Sequence, residues 1–460
     1  MTLAANRQAA DRKQGETQGA STPDLLAKAV AGHRAGDLAL AQRLYRQVLD
    51  IEPDHPDALH FLGVLAHQRG DGEAAVDLIG RALASAPQHA GAHNNLGNVH
   101  KESGRLAEAE ACYRHALDCS PGNPDALTNL AVVLEAQGRL IDAFKVYGIL
   151  LTLAPEHAIG YYLFGVFLRN NARGEAHVEQ AVACLRAAWR LDPANTRTLE
   201  QLGVTLYMTG RCEEAAAVHR DWLAREPDNP IPAHMLAACG GAPPPARAGD
   251  EYVRRVFDGF AASFDEQLLS NLDYRAPQLV ATALAPVFAE APCLDILDAG
   301  CGTGLCAPLL RSRARRLIGV DLSGGMVDKA RERGGYDELV VAELTAYLRD
   351  RPGAFDVVVS ADTLVYFGDL HEVCAAAARA LRHGGAFVFT VEALADDPDG
   401  VELGPSGRYR HGAAHVRRAL ESAGLPDPSI TEDALRQEFG EAVRGWIVVA
   451  RAAGISSDRA

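Results

Sequence analysis

The sequence predicts two structural parts: an N-terminal all-α array of helix pairs and a C-terminal α/β domain with a parallel, doubly wound sheet. The first prediction rests on four prolines, Pro53, Pro87, Pro121 and Pro155, which follow one another at intervals of 34 residues. The second rests on apolar runs that alternate with helical segments after residue 251. A chain of 460 residues is long enough for two or three domains with substantial cores.

Composition narrows the class of protein further. Hydrophobic residues make up 48% of the chain and the formal net charge is −15, which argues against a nucleic-acid partner because phosphate binding needs clustered Lys and Arg. No apolar stretch reaches the roughly 18 uncharged residues of a membrane span. The polar start without a signal-peptide core predicts a disordered tail over residues 1–21 and a cytoplasmic protein, with a second tail at 454–460.

Nine cysteines are present, and none of them forms a C-x-x-C pair or joins a histidine cluster at metal-ligand spacing. This pattern is typical of cysteines that serve as small apolar packing residues in a reducing compartment. Because the spacing of metal ligands is missing, we expect no metal site.

The helical array repeats a small–large–apolar pattern ahead of each proline. In the later units a Leu-Gly or Leu-Ala pair precedes this pattern. Gly70, Gly104 and Gly138 separate the first predicted helix of a unit from the second. This period resembles the tetratricopeptide repeat, and it predicts six repeats plus a capping helix over residues 22–239. The repeated set comprises Ala41, Tyr45 and Val48; Ala75, Ile79 and Ala82; Ala109, Tyr113 and Ala116; and Ala143, Tyr147 and Leu150.

Stacked repeats form a concave groove, for which we expect a protein or peptide partner. Polar side chains at usable spacing can hold a peptide backbone there, and a solvated helix face is the alternative interpretation. These side chains are Asn94, Asn95, Asn98, Lys101, Asn129 and Glu135. The Gly- and Pro-rich stretch 240–250 then predicts a stiff linker rather than a packed element.

The segment 251–453 begins with a helix whose aromatic residues Phe257, Phe260 and Phe264 share one face. Two interpretations are open: packing on the sheet, or a lid whose aromatic faces border a cationic ligand.

A glycine cluster indicates which class of ligand the C-terminal domain binds. An apolar run ends in Asp298, followed by glycines at 300, 302 and 304, and a second run ends in Asp321. The G-x-G-x-G spacing differs from the dinucleotide pattern G-x-G-x-x-G. It resembles motif I of class I S-adenosylmethionine-dependent methyltransferases, and the resemblance implies a Rossmann-like, seven-stranded sheet and S-adenosylmethionine as cofactor.

That resemblance also implies the binding residues. Asp298 and the backbone of Gly300, Cys301, Gly302 and Gly304 are expected at the methionine part. Asp321 is expected at the ribose hydroxyls. The remaining expected contacts are Leu322, Met326, Glu343 and Leu344 around the adenine, and Ala361 and Asp362 in motif IV beside the transferred methyl group.

Candidate catalytic residues are Tyr366, Tyr409 and His411, with His371 as a further possible base. Arg408 and Arg410 form a patch that suits an acidic substrate, and an ordinary surface loop is the alternative. Motif IV, which the resemblance places at Ser360-Ala361-Asp362-Thr363-Leu364-Val365-Tyr366, lacks the Asn/Asp-Pro-Pro-Tyr/Phe pattern of adenine and glutamine amino-methyltransferases. This difference disfavours nucleobase amine methylation.

The whole chain resembles bacterial predicted methyltransferases that carry tetratricopeptide repeats, a group that implies no definite substrate. Two functions are therefore considered. The first is methyl transfer to a small, carrier-bound or protein acceptor, with the repeats as interaction module. The second is a scaffold whose methyltransferase-like domain binds the cofactor without turnover.

Overall fold

The computed structural model describes residues 21–172, 174–266, 272–290, 293–438 and 441–453. Both predicted tails lie outside these ranges, apart from Ser21. The chain forms two compact units, which divide between Asn195 and Thr196. No helix in the described ranges combines the length and apolarity that a bilayer crossing requires.

The described residues of the first unit form ten helices, and the two helices of each consecutive pair pack against each other. Their bounds are α1 Thr22–Arg34, α2 Leu38–Ile51, α3 Pro56–Gln68, α4 Gly72–Ser85, α5 Ala90–Glu102, α6 Leu106–Cys119, α7 Pro124–Ala136, α8 Leu140–Leu153, α9 Ala158–Asn170 and α10 Glu175–Leu191.

Local sequence explains where these helices begin. The side chains of His55 and Asn123 accept hydrogen bonds from backbone N–H groups in the first turns of α3 and α7. Each of these caps is followed by a proline at the first helical position, where the missing N–H costs nothing. Gly70 and Gly104 adopt positive φ between the paired helices, as the turn signals predict.

Small residues let the helices approach closely, as predicted. A Cβ atom on Gly63 would lie 2.6 Å from Ile79, and one on Gly97 would lie 2.5 Å from the ring of Tyr113. Both contacts pair the first helix of a repeat with the second, so bulk at either glycine would separate the two helices.

Side chains 35 residues apart connect the first helices of successive repeats. Asn129 donates to Asn94 at 3.1 Å, and Asn95 lies 2.8 Å from His60. Asn98 accepts from the Tyr113 hydroxyl at 2.8 Å. Amides predicted to face a peptide therefore also join neighbouring helices, and their role towards a partner stays a prediction.

The second unit contains a sixth helix pair, a following helix and the α/β domain. Its helices are α11 Arg197–Met208, α12 Cys212–Arg225, α13 Pro230–Ala238, α14 Asp250–Phe260, α15 Phe264–Glu266, α16 Ala276–Ala283, α17 Ala285–Glu290, α18 Ala307–Leu310, α19 Gly324–Arg333, α20 Leu344–Arg349, α21 His371–Ala380 and α22 Ala413–Ser422. Short 3₁₀ turns span Arg311–Arg313 and Leu364–Tyr366.

The strands are β1 Leu294–Ala299, β2 Ala314–Asp321, β3 Glu338–Val341, β4 Phe355–Ser360, β5 Leu381–Ala393, β6 Val401–Leu403, β7 Tyr409–His411, β8 Ser429–Glu438 and β9 Glu441–Arg451. The order β3-β2-β1-β4-β5 is parallel, and β9 joins β5 antiparallel. Apolar side chains alternate between two core clusters on the two faces: Leu297 and Val358 lie on one, Ile296 and Val357 on the other.

The prediction of seven strands is wrong in detail, because the described sheet has nine. Strand β5 runs past the end of β4, so backbone groups at Glu392 and Ala393 remain to be paired on that side. Strand β7 supplies those partners, and β6 pairs with β7. The parallel, doubly wound architecture itself is confirmed.

The packing around Gly97 predicts that two glycine-to-alanine substitutions change the stability of the protein in opposite directions. Gly97→Ala should destabilise the protein by about 1–3 kcal/mol, because the buried Tyr113 ring has no room to move. Gly80→Ala, in α4 with nothing within 4 Å of the added Cβ, should stabilise by about 0.5–1 kcal/mol. Urea unfolding of the full chain measures both changes, and equal effects of the two substitutions would contradict this packing.

Buried His219 predicts a pH-dependent stability. Burial lowers the pKa of His219 from its usual 6.5 to about 4, so the neutral ring stabilises the fold above pH 6.5 and that contribution is lost as the pH falls towards 4. Leu185 occupies the matching repeat position, which makes His219→Leu a suitable variant. When the pH falls from 7 to 5, the free energy of unfolding, measured in urea, should decrease by about 2 kcal/mol more for the wild type than for the variant. If the free energy of unfolding of both proteins depended on pH in the same way, the lowered pKa of His219 would be contradicted.

Candidate active site

A tight glycine turn leaves the end of β1. Gly300, Gly302 and Gly304 have φ values of 81°, 53° and 86°, which favour glycine over any other residue. At Gly300 the constraint is also steric, because a Cβ would lie 2.1 Å from Thr363 Oγ1. The turn therefore fits tightly against the segment that follows β4.

The carboxylate of Asp321, at the end of β2, ties two loops together. Its Oδ2 accepts from Gly302 N and its Oδ1 from Ser323 N, both at 2.9 Å. Burial raises the pKa of Asp321, although these backbone N–H groups act in the opposite direction. The side chain is thereby fixed at the carboxyl edge of the parallel strands, where ligands bind in such sheets.

A cavity of about 360 Å³ opens at this edge. It brings together most of the residues that the glycine motif and its resemblance predict. The predicted residues in its wall are Gly300, Cys301, Gly302, Asp321, Leu322, Met326, Glu343, Leu344, Ala361, Asp362 and Tyr366.

Two of the residues predicted to bind the cofactor are not part of the described wall. Gly304 packs towards Tyr336 and Ala330. Asp298 is fully buried, accepts the Tyr336 hydroxyl at 2.6 Å through Oδ2, and has no described partner for Oδ1. Burial raises the pKa of Asp298 to about 7, against the opposing hydrogen bond from Tyr336. The sequence gives no signal for the role of Tyr336.

Glu343 has a structural function within the wall. Its two carboxylate oxygens accept from Thr345 N at 3.0 Å and Ala346 N at 2.7 Å, which caps α20. Any contact of Glu343 with an adenine amine therefore uses the lone pairs that these bonds leave.

The aromatic residues predicted to share one helix face line the same cavity, but the helix is divided: Phe257 and Phe260 lie on α14, and Phe264 begins α15. Phe257, Phe260 and Phe264 all contribute to the wall, and Phe257 lies edge-on to Tyr366 with ring centroids 5.5 Å apart. This placement favours the lid interpretation over simple packing on the sheet.

Aspartates beside these phenylalanines attach the segment to the loops that follow β1 and β2. Asp258 accepts from Ser323 Oγ at 2.5 Å and from Gly325 N at 3.1 Å, and Asp265 accepts from Thr303 Oγ1 at 2.5 Å. The repeated Phe-Asp pairs at 257–258 and 264–265 are the sequence signal for these contacts.

The far end of the cavity contains a buried charge network around Arg436, whose side chain is only 3% exposed. Its Nη1 donates to both oxygens of Asp362 at 2.9 Å, its Nε to Glu438 at 2.7 Å, and its Nη2 to Glu392. Arg408 donates to Glu392 and Glu438, each at 2.7 Å. Of this group, the sequence motifs indicate only Asp362 and Arg408, because the other residues are far apart in the chain.

The network sets two opposite pKa shifts. Burial would raise the pKa of Glu392, but the charges of Arg408 and Arg436 outweigh it and leave that pKa below its usual value. Burial raises the pKa of Asp362 even against Arg436. Asp362 also has φ 57°, a left-handed backbone conformation. Its backbone N–H donates to Thr390 Oγ1 at 2.8 Å, and its carboxylate accepts from Arg436, which together hold this residue in place.

Tyr409 and His411 lie outside the described wall of this cavity. The Tyr409 hydroxyl donates to Pro245 O at 2.6 Å, and burial lowers the pKa of His411 to about 3. Arg410 pairs with Glu402 on the β6–β7 hairpin. Of the three catalytic candidates, the structure places only Tyr366 in the cavity wall.

The stretch after residue 244 packs against the α/β domain, so the expectation of an unpacked linker is wrong there. Gly368 N and Asp369 N donate to Ala246 O, and Ala248 N donates to Tyr366 O at 2.8 Å. The extended backbone that prolines favour leaves its polar groups free for this pairing. Arg247 and Ala248 consequently line the cavity.

Comparison with known families agrees with both parts of the chain. Residues 297–389 match a family model described as a methyltransferase domain. Models described as tetratricopeptide repeat match residues 33–99, 90–123, 112–145 and 170–230.

Curated relatives include malonyl-[acyl-carrier protein] O-methyltransferases. The protein of Serratia marcescens is 29% identical over 36% of this chain and 62% of its own length. That of Salmonella typhimurium is 29% identical over 44% of this chain and 70% of its own length. The chain thus spans less than two thirds of the Serratia relative and slightly more of the Salmonella one.

Solved structures similar to this chain include pilF of Pseudomonas aeruginosa, at 19% identity and a TM-score of 0.40, over 45% of this chain and 93% of that one. The tetratricopeptide-repeat protein YrrB is similar at 19% identity and a TM-score of 0.33, over 41% and 96% of the two chains.

Proposed function

We propose that this protein, which combines tetratricopeptide repeats with a C-terminal methyltransferase domain, transfers the methyl group of S-adenosylmethionine to an acceptor bound in the cavity. One observation carries the proposal: a single cavity joins the glycine turn and Asp321 to a wall of aromatic and arginine side chains. One end suits the cofactor and the other an acceptor.

The residues present fit the cofactor. Gly302 lies in the cavity wall with nothing within 4 Å of an added Cβ, so a ligand can approach the backbone of the turn closely there. The carboxylate of Asp321, fixed by two backbone N–H groups, has lone pairs for the two ribose hydroxyls. Leu322 and Met326 provide apolar contacts for a flat base.

The aromatic side chains in the cavity wall suit the sulfonium end of the cofactor. S-adenosylmethionine supplies a methyl group activated by a positive sulfonium, and aromatic faces attract such a cation. Phe257 and Tyr366 meet at the cavity wall and exclude water from the point of transfer. Holding the methyl donor and the acceptor in line in this way is a main source of the rate enhancement of such an enzyme.

Tyr366 is the catalytic candidate that we retain. It lines the cavity, and burial raises its pKa, so its hydroxyl donates a hydrogen bond rather than accepting a proton. Tyr409 and His411 take no part in the proposed step, because they lie outside the described cavity wall.

The repeats are proposed to recruit a protein partner or an acceptor attached to a carrier. A stack of helix pairs presents an extended surface, which suits a protein ligand. The names of the curated relatives state that their malonyl substrate is attached to an acyl-carrier protein. A carrier-bound acceptor is therefore the form that we favour here.

Asp321→Ala should weaken binding of S-adenosylmethionine by about 10- to 100-fold, because it removes a charged acceptor for the ribose. Asp328→Ala is the matched control, since this side chain on α19 is 70% exposed and pairs with Arg331. Isothermal titration calorimetry on the full chain measures all three proteins. Absence of binding to the wild type would refute the proposed function, and equal binding by both variants would refute the role of Asp321.

A further inference from the structure

Asp298 is a buried carboxylate with one unpaired oxygen. It lies near the end of β1 with no exposed surface, and its Oδ2 accepts the Tyr336 hydroxyl at 2.6 Å. Its Oδ1 has no hydrogen-bond partner among the residues that the structure describes. An ionised carboxylate is costly in such a place, because burial removes water without supplying a cation or a full set of donors.

The side chains around Asp298 supply no positive charge in the described part of the chain. Four of them are phenols or thiols on which the charge of Asp298 acts: Tyr274, Cys301, Cys306 and Tyr336. Burial, more than this charge, raises the pKa of each of the four and keeps them neutral. Among the described residues, the charged side chain that acts on Asp298 is a second acid, Asp321.

The two acids differ in what they accept. Asp321 accepts from Gly302 N and Ser323 N, both at 2.9 Å, and such bonds favour the charged form of a carboxylate. Asp298 has only the Tyr336 hydroxyl as a described donor. Burial raises the pKa of Asp298 to about 7; the bond from Tyr336 opposes this rise, and the charge of Asp321 adds to it. The proton that the pair of acids retains near neutral pH is therefore on Asp298.

The cofactor would bring positive charge to this negatively charged site. The glycine turn at Gly300 to Gly302, where the methionine part of the cofactor is expected, begins two residues after Asp298. S-adenosylmethionine carries an ammonium and a sulfonium, and a nearby cation favours the ionised form of a carboxylate. Binding of the cofactor and protonation of Asp298 therefore oppose each other.

We propose that Asp298 is protonated in the free protein, that binding of S-adenosylmethionine releases this proton, and that Tyr336 is the positioning residue that controls the release. This inference rests on the proposed function and concerns regulation of its cofactor site by pH. The step balances as a simple ionisation. The O–H bond of Asp298 breaks, its electron pair stays on the carboxylate, and the proton passes to solvent.

Release of a proton makes cofactor binding depend on pH. The pKa of Asp298 is about 7 in the free protein and should be lower in the complex, so at lower pH the cofactor has to displace a proton. At about pH 8 the acid is already ionised before binding. The affinity for S-adenosylmethionine should therefore be about tenfold lower at about pH 6 than at about pH 8.

Isothermal titration calorimetry on the full chain counts the protons. Titrations at about pH 7 in PIPES and in imidazole, two buffers with different enthalpies of ionisation, give the number released. The wild type should release about half a proton more than Asp298→Asn, which lacks the titrating group but shares any proton exchange of the cofactor itself. Equal release by the two proteins would overturn the inference. If Asp298→Asn does not bind the cofactor, the pH dependence of Tyr336→Phe decides.

Tyr336→Phe removes the hydrogen bond that favours the ionised form of Asp298, so the acid should keep its proton to higher pH. The pH at which the affinity for S-adenosylmethionine falls should rise by about one unit or more. Tyr347→Phe, at a buried tyrosine of α20 outside the described cavity wall, is the matched control and should keep the wild-type curve.

The outcomes separate this inference from the proposed function. A loss of affinity in Tyr336→Phe that is equal at every pH would indicate a purely structural role and overturn the assignment of Tyr336. Cofactor binding without proton release would overturn this inference alone. Absence of binding to the wild type at every pH would overturn the proposed function together with it.

Discussion

The pair of hydrogen bonds that fixes Asp321 is the interaction on which the site depends. One bond reaches Gly302 in the turn after β1, and the other reaches Ser323 at the start of α19. A single carboxylate thus holds the ends of two adjacent strands in a fixed relation. The positive φ of Gly300 and its contact with Thr363 add the segment after β4 to the same arrangement.

A second buried interaction shapes the opposite end of the cavity. Arg436 reaches from β8 to Asp362 after β4 and to Glu392 on β5, so it connects three segments of the sheet. Removing the charge of any member would leave another charge buried without its partner, which costs several kcal/mol in proteins. The network explains how a loop with a left-handed aspartate is held in place beside the cavity.

Features set by local chemistry were predictable from the sequence. The 34-residue period, the glycine turn and the acids at the strand ends each depend on residues close together in the chain, and the structure bears out these elements. Tyr336, Arg436 and Tyr274 were not predictable, because their positions depend on how distant segments pair. The nine-strand count and the packing of residues 245–248 were missed for the same reason, since both arise from free backbone groups on the sheet and on the loop after β4.

The structure of the full chain in complex with S-adenosylhomocysteine tests the central claim most directly. The account predicts the ribose on Asp321, the amino-acid part over the glycine turn at Gly300 to Gly302, and the sulfur directed towards Tyr366. The space beside Arg408 should remain free for an acceptor. A ligand bound elsewhere, or one that fills the Arg408 end while leaving Asp321 without a contact, would contradict it.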